Sequence, residues 1–337
     1  MLSVDHILES DKWMIGLNDN AASRRRGSIL RSLQPKLSAP QQSVRAAMSS
    51  KAQEGRAHAG AAVPLQGQTI EAQTVISETD SDFGDTDSAS LTTSLTSSVF
   101  NYVYENGRRY HRFREGEYLF TEQDRLDMLH HIYRLMLGGG LYKAPLSRSP
   151  QRILNYGTGT GIYALDIADE FPSAEVLGID LSTIQPGWVA PNCQFIIDDV
   201  EAEWPYSEDQ AFDYIHQRNM VGSIADWDRL FNQAFKHTKP GGYIELQEFK
   251  VWVHSQHGEL PEDSHIQRWQ RALVDGTASF GKPLNVAGQL ADKLKAAGYV
   301  DVQEDVLKVP IGSWPTDAKL RQIGLYMQVH AMTLSNR

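Results

Sequence analysis

Residues 152–167, RILNYGTGTGIYALDI, constrain the fold of this chain more than any other stretch. A short apolar run leads into a loop with glycine at 157, 159 and 161, and a helical pattern follows directly. Strand, glycine loop and helix in that order open a βαβ unit. Glycine at every second loop position lets a ligand approach the backbone closely. The N–H groups that begin the helix present its positive end to that ligand. In an open α/β sheet such a turn lies outside the carboxyl ends of the strands, where ligands bind.

The downstream sequence repeats the alternation. AEVLGID, QFII, AFDYIH, GYIELQEF and VDVQEDVLKVPI read as further strands. Helices are expected at Ile162–Glu170, ended by Pro172, at DWDRLFNQAFKHT, capped by Asp226 and closed by KPGG, and around Val286–Ala297. This pattern predicts an α/β fold with a mostly parallel sheet, helices on both faces and right-handed connections. Upstream, EQDRLDMLHHIYRLMLGG places Leu126, Leu129, Ile132, Tyr133 and Met136 on one helical face. Adjacent His130 and His131 point about 100° apart on such a helix, too far for a shared metal. They read as packing or surface residues.

Residues 1–95 have a different texture, rich in Ser, Ala and Gln and without sustained periodicity. Residues 1–60 carry nine Lys/Arg against five Asp/Glu, whereas 61–99 carry six acids and no base. Such a segment buries too little to offset its ordering entropy and is expected to be a disordered tail. Its Arg24-Arg25-Arg26 run reads as a solvated charge cluster or a nuclear-import signal. Over the 337 residues the formal net charge is −10, which argues against direct nucleic-acid binding. The single cysteine, Cys193, excludes an internal disulfide or a Cys-based zinc site, and no metal is expected. No apolar run is long enough to span a membrane, and no secretory signal is evident. An intracellular protein of the nucleus or cytoplasm is the expectation.

Two nucleoside ligands compete for the glycine loop. Asp180 ends the second strand, 23 residues beyond Gly157, where an acid can accept from both ribose hydroxyls. The dinucleotide fingerprint G-x-G-x-x-G needs a third glycine where this chain has Ile162. The shorter Gly157-x-Gly159-x-Gly161 loop suits the amino-acid end of S-adenosyl-L-methionine, which carries no phosphate. Asp198-Asp199 ends the third strand, where a carboxylate can accept from an adenine amine. The methyl donor is favoured over a nicotinamide cofactor.

The blocks YENGRRYH, GTGTGI, ADEFPSAEVLGIDLSTIQP, IDDVEAEW, FDYIHQR, GSIADW and KPGGYIELQE resemble the LaeA-like fungal methyltransferases, from about Thr92 to the C-terminus. That resemblance implies a class I (Rossmann-like) methyltransferase domain over 151–337, preceded by a helical or lid segment at 96–150. It implies dependence on S-adenosylmethionine, a link to control of secondary metabolism, and a small-molecule or protein acceptor that it does not name. Carried over residue by residue, Asn155, Gly157, Gly159 and Gly161 would cradle the methionine part of the cofactor. Asp180 would hold the ribose and Leu181 would back the adenine, while Asp199 and the backbone of Val200 would reach its amine. His216 and Arg218, expected at the rim near the methyl group, are the catalytic candidates. Tyr104, Arg109, Tyr110 and His111 are candidates for a lid or substrate contact.

Two departures stand out. The family pattern before the loop is I-L-D-L-G, and this chain has Asn155 in place of the acid. A neutral acceptor in place of a charged one is expected to cost about tenfold in cofactor affinity. The class I sheet also ends with an antiparallel strand inserted between its fifth and sixth strands, and here only a helical stretch follows the sixth. That strand is therefore expected to be missing, leaving the Tyr243–Phe249 edge bare and prone to association. Both departures raise the alternative of a non-catalytic regulator of the same fold, acting through protein partners.

Overall fold

The computed structural model describes residues 13–25, 69–72, 122–187 and 189–335. Seven strands form one sheet: β1 (Trp13–Arg25), β2 (Arg152–Tyr156), β3 (Glu175–Asp180), β4 (Cys193–Ile197), β5 (Phe212–Arg218), β6 (Thr238–Ser255) and β7 (Tyr299–Ile311). Their order is β4-β3-β2-β5-β6-β1-β7. Strands β2 to β6 pair in parallel, so their carboxyl ends share one edge.

Adjacent residues of β2 enter different cores, as the pleat requires. Ile153 packs with Tyr163, Ala164 and Ile167 of α2 (Ile162–Glu170). Leu154 joins Leu230 and Phe231 of α3 (Trp227–Lys236) and Leu294 of α5 (Leu290–Ala296). Helices thus cover both faces. The Asp226 carboxylate caps α3 by accepting from the Arg229 N–H at 2.9 Å. A third cluster joins α1 (Glu122–Met136) and α6 (Ala318–Ser335) to β6 and β7 through Ile132, Tyr133, Phe249, Val309 and Ile323. Helix α4 (His265–Ser279), absent from the sequence expectation, follows β6.

The N-terminus departs from expectation. Strand β1 lies between β6 and β7, antiparallel to both, with Leu17 opposite Phe249 and Leu307. The residues after β7 do enter a helix and supply no strand. The slot is filled from the other end of the chain, so β6 has no bare edge. A strand placed there finds backbone partners on both sides, which offsets its ordering cost. Ile70 is also buried, in the cluster of α1 and α6, with its backbone N–H and C=O both bonded to the Gln256 side chain. The expected disordered tail is therefore corrected at 13–25 and 69–72; its remainder lies outside the described residues. No helix among the described residues is long and apolar enough to cross a membrane.

Candidate active site

A groove of about 360 Å³ opens at the carboxyl edge of the sheet, over the loop that joins β2 to α2. All three loop glycines have positive φ: 63° at Gly157, 55° at Gly159 and 83° at Gly161. Two of them also admit close neighbours. A Cβ on Gly157 would fall on the Met220 thioether, and one on Gly161 would meet the Phe195 ring at 2.5 Å. The Thr158 N–H continues the β3 pairing by donating to the Ile179 carbonyl at 3.0 Å.

Asp180 sits where β3 meets this loop. Its carboxylate accepts from the Gly159 N–H at 2.7 Å and from the Ser182 N–H and hydroxyl at 2.9 and 2.7 Å. The next residue, Leu181, is 69% exposed, an apolar side chain standing at the groove wall. Asp199 and Val200 line the same end, with Asp199 Oδ1 accepting from the Glu201 N–H at 2.9 Å.

Asn155 lines the groove floor but is 2% exposed, and its partners lie within the protein. Its Oδ1 accepts from the Thr158 hydroxyl at 2.8 Å, which ties the glycine loop down. Its Nδ2 faces His216 Nδ1 at 3.1 Å and the His216 carbonyl at 3.3 Å. The neutral amide thus supplies an acceptor on one side and a donor on the other. A carboxylate could not do both.

His216 does not reach the rim. The strand runs two residues beyond it, to Arg218, so His216 stays inside the sheet, fully buried and stacked on Tyr163 at 3.5 Å and 7°. Burial and then the Arg218 charge hold its pKa well below the usual imidazole value. It is a neutral residue beneath the groove and not on its wall.

Arg218 does line the groove, with its guanidinium between the rings of Tyr133 and Tyr163 at 4.3 and 4.9 Å. It donates from Nε to Gln247 Oε1 at 2.8 Å and from Nη1 to His130 Nδ1 at 3.0 Å. Because a guanidinium only donates, His130 Nδ1 must accept, and its Nε2–H points to Asp166 at 3.1 Å. Burial lowers the His130 pKa to about 4, opposed by the Asp166 bond and helped by Arg218. His130, which the sequence assigns to packing or surface, is thus a buried wall residue of the groove.

Just beyond β5 stand two residues that sequence alone does not single out. Asn219 has a positive φ of 57°, and its Oδ1 accepts from the Tyr133 hydroxyl at 2.6 Å. Met220 packs over Gly157. Behind them the buried Glu248 carboxylate accepts from the Met220 N–H at 2.8 Å. Lys282, which also lines the groove, donates from Nζ to the Ser223 carbonyl at 2.6 Å and pairs with Glu201 at 3.6 Å.

Of the expected site residues, Asn155, Gly157, Gly159, Asp180, Leu181, Asp199, Val200 and Arg218 line one groove. Gly161 closes its loop against Phe195, and His216 lies below. Tyr104, Arg109, Tyr110 and His111 fall outside the described residues. No group of three or more His, Cys, Asp or Glu among the described residues is placed to hold a metal.

A parallel sheet, a glycine loop without the dinucleotide spacing, and an acid at the end of the next strand define a class I methyltransferase. A family model described as a methyltransferase domain matches residues 128–304. Methyltransferase pytC of Aspergillus terreus is 42% identical over 258 residues, 75% of this chain and 79% of that protein. Secondary metabolism regulator LAE1 of Cochliobolus heterostrophus is 40% identical over 66% of this chain and 75% of its own length. Protein-methionine methyltransferase laeA of Emericella nidulans is 33% identical over 65% of this chain and 60% of its own length. The chain belongs to the LaeA-like fungal methyltransferases, enzymes of the S-adenosylmethionine-dependent class.

Proposed function

We propose that the groove over Gly157–Gly161 binds S-adenosylmethionine and that the acceptor is a thioether, the side chain of a protein methionine. The residues fit the cofactor. The close-approach glycines suit its amino-acid part, Asp180 can accept from the ribose hydroxyls, and Leu181 with Asp199 offers an apolar face and an acceptor to adenine. When bound, the cofactor supplies an electrophilic methyl group on a sulfonium.

One observation carries the acceptor reading: among the described residues, the methyl end of the groove holds no base suited to neutral pH. His130 is the only histidine among the described residues that line the groove, and it titrates near 4 with both ring nitrogens engaged. His216 is sealed beneath. Hydroxyl and protonated-amine acceptors must lose a proton before or during attack, which calls for a base. A thioether has no proton to lose, so orientation alone serves it. The Emericella nidulans relative carries the name of a protein-methionine methyltransferase, and Met220 of this chain places a thioether in the groove.

The test is incubation of the full chain with S-adenosylmethionine, alone and with a fungal protein extract, followed by peptide mapping by mass spectrometry. Methyl groups on methionine support the proposal. Methylation confined to lysine, arginine or hydroxyl groups would overturn the acceptor while leaving the cofactor assignment standing.

A further inference from the structure

Glu248 is fully buried near the middle of β6, and nothing assigned to the methyl-transfer groove so far explains why a carboxylic acid belongs there. Its surroundings do. The carboxylate reaches across to the end of β5 and accepts from the Met220 N–H at 2.8 Å, the Val221 N–H at 3.3 Å and Gln217 Nε2 at 2.7 Å. Those two amides begin the turn that leaves β5, and a turn that leaves a parallel strand has no ladder partner for its N–H groups. The turn also takes an unusual backbone conformation. Asn219 holds a positive φ of 57°, a region few non-glycine residues occupy. It stays there because its own N–H donates to the Gln247 carbonyl at 3.1 Å and its side chain accepts from Tyr133. A backbone held in such a region persists only where its surroundings over-determine it, and these sites concentrate where geometry matters to function.

The consequence lies on the other side of the turn. Asn219, Met220 and Ser223 face the groove, and Met220 covers Gly157, where the amino-acid end of the cofactor would sit. We propose that Glu248, together with Gln217, is a positioning residue for methyl transfer: it fixes the Asn219–Val221 turn and so sets the wall against which donor and acceptor meet. This rests on the proposed location of the methyl group in that groove. Glu248 touches neither donor nor acceptor, and its effect passes through two backbone amides. The Gln217 amide can serve either protonation state of the acid. As placed, it donates to Glu248 through Nε2 and leaves Oε1 buried without a partner, and rotating the amide would turn that oxygen toward an acid hydroxyl.

Glu248→Leu removes the acceptors at similar volume, and Glu248→Gln restores one of them. Three quantities are read on the full chain: amide hydrogen exchange by residue, the dissociation constant of S-adenosylhomocysteine, and the methylation rate at saturating S-adenosylmethionine. Glu248→Leu should speed exchange about tenfold or more at Met220 and Val221 while leaving residues 157–161 unchanged. Its affinity for S-adenosylhomocysteine should stay within about threefold, its rate should fall about a hundredfold, and Glu248→Gln should recover most of that rate. Unchanged exchange at the turn, or an unchanged rate in Glu248→Leu, would overturn the proposal. So would exchange raised evenly across the sheet, which would mark Glu248 as a general stabiliser. If Glu248→Leu does not fold, Glu248→Gln decides: with one acceptor lost it must still speed exchange at Val221, and no change there refutes the role. If the unaltered chain fails to bind S-adenosylhomocysteine, the cofactor assignment fails, while the exchange measurement still decides whether Glu248 holds the turn.

Discussion

Restoring the family's acid at position 155 should harm this protein rather than help it. Asn155 Nδ2 faces two groups of His216, the ring Nδ1 at 3.1 Å and the main-chain carbonyl at 3.3 Å, in a site 2% exposed. In Asn155→Asp an oxygen replaces that donor and confronts the carbonyl. A buried acceptor left without a donor costs about 1–3 kcal/mol, and more if it is charged. A shift of the His216 proton to Nδ1 recovers part of this, so a net loss of about 2 kcal/mol is expected at pH 7. For a domain of this size that lowers the melting temperature by about 4–8 °C. Desolvation raises the folded-state pKa of the new acid above its unfolded value. The variant is then least penalised in acid, and the loss grows as pH rises through the unfolded pKa toward the folded one. Denaturant unfolding of both proteins at pH 5 and pH 8 measures this directly. Equal or greater stability of Asn155→Asp at pH 8 would refute the donor role of the amide.

Further outcomes follow from the same geometry. Asp180→Ala should weaken S-adenosylhomocysteine binding by about 2 kcal/mol, roughly thirtyfold, because it removes a charged acceptor and frees the Gly159 N–H it holds; calorimetry on the folded variant decides it. Gly157→Ala combines a φ of 63° with a Cβ on the Met220 thioether, so it should abolish detectable binding and displace Met220, which methyl NMR of methionine would report. Burial raises the Glu248 pKa to about 8, so the folded state keeps a proton that the unfolded chain releases near 4.5. That contribution to stability is complete below pH 4.5 and is lost as pH rises toward 8, at up to about 1.4 kcal/mol per pH unit. The lowered imidazoles of His130 and His131 contribute alike to both proteins and cancel from the comparison between pH 6.5 and 8. The stability difference between Glu248→Gln and the unaltered chain should therefore grow in favour of the variant across that window; a difference independent of pH would contradict it.

What the sequence revealed was local. The strand, glycine loop and helix at 152–170 could be read because the signal is contiguous, and Asp180 because its spacing from the loop follows from one βαβ unit. AFDYIH reads as a complete strand and so places His216 at the rim, yet β5 continues to Arg218 and keeps the imidazole inside the sheet. His130, Tyr133 and Glu248 join the site only through packing of α1 and the register of β5 with β6, where Arg218 lies opposite Gln247. No spacing within one segment carries that information. Strand β1 has only a weak sequence signature, because its alternation, Trp13, Ile15 and Leu17, is short and lies in a Ser- and Ala-rich stretch. Its partners are near the far end of the chain, so pairing rather than propensity decides its fate.

The central claim is that the groove over Gly157–Gly161 is a methyl-donor site. Calorimetric titration of the full chain with S-adenosylhomocysteine, and separately with NAD, tests it most directly. Saturable binding of S-adenosylhomocysteine at one site, weakened about thirtyfold by Asp180→Ala, with no heat from NAD, is the predicted result. No binding of S-adenosylhomocysteine to the folded protein, or equal binding of NAD, would contradict it.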